Sequence, residues 1–209
     1  LERMSSNFLY TSGSNRRNYK FVKNFTDSIK SNFQSFQDPF FKKYLDFKIG
    51  ELQMFVLRQF RNEFSKTYFD NSSGLSDNIQ VMQVFNMFFK GHMKNGIQTQ
   101  DKSPFHTYIL RGDLNRMLTE VYPKENFNRE LNELILLKGL FEISNSYFYR
   151  KSRLNTTLDK IINTTSYPQH IVIAKNIKKH INHLASGYPA PPISINYDDV
   201  NFNLENFKG

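Results

Sequence analysis

The residues able to do chemistry are few, because cysteine is absent from all 209 positions. With no thiol there is no sulfur nucleophile, no thiolate metal ligand, no disulfide and no dithiol redox pair. Imidazole and carboxylate remain. The histidines are His92, His106, His170, His180 and His183. A zinc site asks for two histidines three or four apart on one helix face plus a third ligand, and His180 with His183 meets only the first demand. No His-Glu-x-x-His segment accompanies them, so they read as a surface pair. Glu130 and Glu133 stand one turn apart, as a paired acid and base could. Arg129 precedes Glu133 by four residues, however, and ion pairing on a wet helix face accounts for that spacing.

Phosphate and acyl chemistry have no framework either. Gly91, Gly96, Gly112 and Gly139 are isolated, and Lys90-Gly91-His92-Met93-Lys94 lies inside a helical pattern with no strand before it. A Gly-x-Ser-x-Gly elbow is missing. These readings assign no catalytic, cofactor-binding or metal-ligating residue, and the chain is expected not to be an enzyme by itself.

The formal net charge is +9 and the pI is 9.6. Nucleic acid or an anionic membrane would be drawn to clustered Lys and Arg, but here the basic residues come singly or in pairs such as Lys42-Lys43 and Lys178-Lys179. A solvated basic surface is the expectation, with no nucleic-acid partner. No window approaches the run of about 18 apolar residues that spans a bilayer. Leu1 is followed by Glu2 and Arg3 rather than by a signal-like apolar run, so the chain is expected to start within a longer protein or after processing.

What must position any site is helical. Apolar residues reach 39%, led by 21 Phe and 11 Tyr with no Trp, so burial falls to aromatic side chains on amphipathic elements. Val22, Phe25, Ile29 and Phe33 form one stripe from Asn18 to Phe36. Asp38-Pro39 gives a cap and a first-turn proline for a second helix, with Phe41, Leu45, Ile49, Leu52, Val56, Phe60 and Phe64 running without a breaker to about Tyr68. Turn formers Asp70 to Gly74 precede a helix capped by Ser76 or Asp77, carrying Val81, Val84, Phe85, Phe88 and Met93. Ser103-Pro104 starts a fourth helix, closed by Pro123. A fifth carries Leu131, Leu134, Leu137 and Phe141 in a nearly all-round apolar run that marks the bundle centre. Leu154, Leu158, Ile161 and Ile162 define a sixth, and Ile171, Ala174, Ile177, Ile181 and Leu184 a seventh that ends at Gly187.

From Tyr188 the pattern turns extended and alternating, with Ile193 and Ile195, then Val200, Phe202 and Leu204 about an Asp198-Asp199 turn. The expected fold is all-α, a bundle of about seven helices, followed by a short C-terminal β-hairpin. Residues 1–187 form the helical domain and residues 188–209 a separate segment.

That C-terminal segment carries a resemblance. Gly187-Tyr188-Pro189-Ala190-Pro191, then Ile193-Ser194-Ile195 and Leu204-Glu205-Asn206-Phe207-Lys208-Gly209, resemble the opening of a TlpA-like or peroxiredoxin-like thioredoxin domain. Upstream, Gln37 to Tyr44, Phe85 to Phe89, Leu131 to Leu140 and Ile173 to Ile177 resemble the helical region before the redox domain in thioredoxin-family proteins of the cell envelope. The resemblance implies that a thioredoxin-like domain, with its Cys-x-x-Cys pair, follows beyond Gly209. The present residues would then be a non-catalytic module that recognises, positions or scaffolds, in the periplasm or cell envelope. Its implied partners are that missing C-terminal domain and protein substrates. A stand-alone helical protein-interaction module is the alternative. Because an uncovered hairpin exposes an edge, it is expected either to fray after Pro192 or to pair with a helix face or with a neighbouring chain's edge, giving a homodimer.

Overall fold

The computed structural model describes residues 19–56, 61–69, 78–93, 104–121, 127–146 and 148–183, together with the strand segments 194–197 and 200–203. Nine helices occur among the described residues: α1 (Tyr19–Asn32), α2 (Pro39–Val56), α3 (Arg61–Phe69), α4 (Ile79–Phe88), α5 (Pro104–Arg111), α6 (Leu114–Glu120), α7 (Arg129–Ile143), α8 (Lys151–Thr164) and α9 (Pro168–Asn182). The described residues are mostly helical as expected, with nine helices among them where periodicity alone counted seven.

The extra helices have physical causes. The long second helix divides into α2 and α3. The fourth divides into α5 and α6 at Gly112, whose φ of 64° lies in the left-handed region that a side chain resists. Asp113 then accepts a hydrogen bond from the Arg116 N–H at 3.1 Å and restarts the chain as α6. Lys160 of α8 donates to the Gly112 carbonyl at 2.6 Å, fixing this corner against the bundle.

Other starts follow the same capping chemistry. Asp38 accepts from Phe41 N–H at 2.7 Å, as the Asp-Pro pair implied. The cap of α4 is Asn78, whose side chain accepts from Gln80 N–H at 3.0 Å and whose amide donates to the Phe40 carbonyl on α2. Asn128 caps α7 through Leu131 N–H at 2.9 Å.

The main core runs from α2 to α9, and α1 adds a smaller cluster in which Val22 meets Leu52 and Ile29 meets Leu45 and Ile49. Phe69 is fully buried and lies within 6.3 Å, ring centre to ring centre, of Phe47, Phe64, Phe85, Phe88 and Phe89. Tilted and edge-on pairs of this kind let positive ring edges meet negative faces, which adds to what area burial supplies. Helix α7 is the centre of the molecule: Leu131, Leu134, Ile135, Leu136, Leu137, Leu140 and Ile143 are all buried. Gly139 lets a neighbour approach it closely, since a Cβ there would stand 1.6 Å from the Met93 sulfur.

The strand segments β1 (Ser194–Tyr197) and β2 (Val200–Asn203) pair antiparallel. The Asp70 to Gly74 turn, the Ser76/Asp77 cap, Phe60, Pro123, the Asp198-Asp199 turn, the Gly187 to Ile193 stretch and Leu204 to Gly209 lie outside the described residues.

Candidate functional site

The histidines are dispersed through the bundle. His92 Nε2 meets the Val121 carbonyl at 2.7 Å, and His106 Nδ1 meets the Tyr149 hydroxyl at 3.0 Å. His180 and His183 are both exposed, and the His180 ring lies 5.1 Å from that of Phe141. Among the described residues no three His, Asp or Glu side chains gather as metal ligands would. Lys90 and Gly91 form a turn after α4, and Lys94 lies outside the described residues. Gly91 has φ 66°, and its N–H donates to Glu142 Oε2 at 3.0 Å.

The carboxylates require a correction. Glu133 does not lie on a wet face: its side chain is only 2% exposed, at the heart of a polar clasp between α7 and the start of α9. Oε1 accepts from Arg129 Nε at 2.9 Å, while Oε2 accepts from Thr165 Oγ1 and from His170 Nδ1, at 2.5 and 3.0 Å. His170 is itself 5% exposed and stacks obliquely on Tyr167 at 5.0 Å. Burial pushes the Glu133 carboxyl up, but the three hydrogen bonds together with the nearby His170 outweigh it and hold the carboxyl below its ordinary value. The group is thus a satisfied anion. With three of its lone-pair directions taken up by protein donors, it is placed to join helices. Elsewhere, burial raises the hydroxyls of Tyr68 and Tyr149 to about 12.

What the fold leaves open is an apolar groove of about 390 Å³. Met82 and Phe85 of α4 form one wall, Leu134 and Leu137 of α7 the floor, and Ile173 and Ile177 of α9 the other wall. Asn86, Asn176 and Lys138 border it, with Lys138 neutralised by Glu142 at 2.9 Å. Phe141, expected in the core stripe, stands 49% exposed on the rim. A cleft of this size and lining suits apolar side chains, with amides available to orient a backbone.

Neither feature was visible as a site in the sequence. An acid inside the apolar run Leu131 to Leu137 was the available signal for the clasp, and the Arg129 spacing explained it away. The groove is a product of three helices far apart in the chain.

No family model, no curated protein and no solved structure matches this chain.

Proposed function

We propose that this chain is a non-catalytic helical module that recognises or positions protein substrates for a thioredoxin-family thiol-disulfide oxidoreductase of the cell envelope. The observation that carries the reading is the order Gly187-Tyr188-Pro189-Ala190-Pro191, Ile193-Ser194-Ile195 and Leu204 to Gly209, coming directly after the last helix. Thioredoxin chemistry needs a low-pKa thiolate at a helix N-terminus, and none of the 209 residues is a cysteine. The contribution of this part is therefore binding and placement, for which the α4–α7–α9 groove offers an apolar surface.

The coding sequence after Gly209 tests the reading. A strand-like apolar stretch followed by Cys-x-x-Cys, or by one reactive cysteine, supports it. A stop codon or a cysteine-free continuation removes it. The purified 209-residue chain should leave insulin disulfides unreduced under either outcome, because it has no thiol to offer.

A second reading, a stand-alone helical protein-interaction module, draws on the groove alone and needs nothing beyond Gly209. A chain that ends there and still captures a partner peptide through Phe85 and Ile173 would favour it.

A further inference from the structure

The register of the strand pair sorts its residues by polarity. Ile195 is opposite Phe202 and Tyr197 opposite Val200, while Ser194 is opposite Asn203 and Asn196 opposite Asn201. Because alternate strand residues share a face, the four apolar residues belong to one face of the ribbon and the four polar ones to the other. Two strands of four residues are marginal alone in water, and an apolar face of this kind calls for cover.

The bundle offers a matching apolar surface. Leu134 and Leu137 form the floor of a groove walled by Met82 and Phe85 on one side and by Ile173 and Ile177 on the other. The two partners are tethered at close range. Ile177 is six residues before His183, about 9 Å along the axis of α9, whereas the ten residues 184–193 can span up to about 33 Å when extended.

We propose that the apolar face of β1–β2 docks in the α4–α7–α9 groove of its own chain. The ribbon covers the half-exposed Phe141 on the rim and the part-exposed Met82 and Ile173 of the walls, and the groove supplies the layer that a two-stranded ribbon cannot provide for itself. Register, groove and tether are all present within these residues, so the docking holds whether or not a redox domain follows. If one does, its first strands would be seated against α7, which fixes where substrate must approach.

The cysteine-free sequence makes a clean test possible, since Asn176→Cys in the full 209-residue chain accepts a single nitroxide label. In a dilute sample the amides of Ile195, Tyr197, Val200 and Phe202 should lose more than half of their signal relative to the reduced label. An Asn86→Cys label on the opposite rim should do the same. Adding Phe202→Asp should restore most of that signal while leaving the exchange protection of Leu134 to Leu137 unchanged, because Phe202 is not part of any helix. Undiminished ribbon signals with both labels overturn the proposal. So does broadening that survives Phe202→Asp. Broadening that appears only between labelled and unlabelled copies mixed together also overturns it, by assigning the groove to a second molecule.

Discussion

Glu133 and His170, 37 positions apart, meet through a 3.0 Å hydrogen bond between side chains withdrawn from water. The carboxylate can only accept, so His170 carries its proton on Nδ1, and the same carboxylate oxygen receives the Thr165 hydroxyl. One acid therefore ties together α7, the end of α8 and the first turn of α9.

Removing that acid should be costly. Glu133→Leu leaves the buried His170 ring nitrogen without its carboxylate and takes the acceptor from the part-buried Thr165 hydroxyl, and a loss of about 2–4 kcal/mol is expected, read from urea unfolding. Arg129 contributes little because its side chain is 54% exposed. Glu133→Gln keeps an acceptor and should lose about half as much. A double-mutant cycle with His170→Leu should show a coupling of at least about 1 kcal/mol. Additive effects would mean that the contact is not energetically formed.

The clasp also sets a pH dependence. The Glu133 carboxyl is held below its ordinary value of 4.5 in the folded chain, so its contribution is fully present above that value. The contribution fades as acid drives the pH down through the folded value. Thermal midpoints should fall more steeply below about pH 4.5 for the parent chain than for Glu133→Gln. Equal slopes for the two would show that other carboxylates dominate.

Gly139→Ala should destabilise even though alanine is the better helix former by about 1 kcal/mol. The new Cβ would lie 1.6 Å from Sδ, 2.5 Å from Cγ and 3.1 Å from Cβ of Met93, so moving the thioether tip is not enough. A net loss of about 1–3 kcal/mol is expected, lowering the melting temperature by several degrees. Combining it with Met93→Ala should recover part of that loss. An unchanged melting temperature for the single variant would mean that α7 and the turn after α4 are not packed as described.

The fate of the positive charge can be read by filter binding. With Lys and Arg dispersed, single- and double-stranded oligonucleotides near physiological salt should bind no tighter than about ten micromolar. Submicromolar affinity with a steep salt slope would expose a basic groove that the scattered pattern conceals.

The elements themselves were largely legible in the sequence. The stripe of Val22 and Ile29, the Asp38-Pro39 start and the all-round apolar run of α7 each reflect a local rule, namely helical periodicity or a capped first turn. Boundaries set by a single backbone angle were harder to read. Gly112 and Gly91 look like any helical glycine until their positive φ is known. Asn78 was overlooked as a cap because Ser76 and Asp77 offered equally good chemistry beside it. Glu133 was misread for a deeper reason. A spacing of four residues fixes its relation to Arg129, but the second and third partners come from Thr165 and His170, and no local pattern announces them. The groove is hidden in the same way, since its walls come from stretches near 82, 134 and 173.

The notch at Gly139 makes Met93 a chemical clock. Met93 is 5% exposed and its sulfur fills the space a methyl group would need, so a sulfoxide oxygen has no room there either. Peroxide can reach that sulfur only while α7 and the turn after α4 are apart. In a chain with no cysteine to consume oxidant first, the rate at which Met93 sulfoxide accumulates would count those openings one molecule at a time.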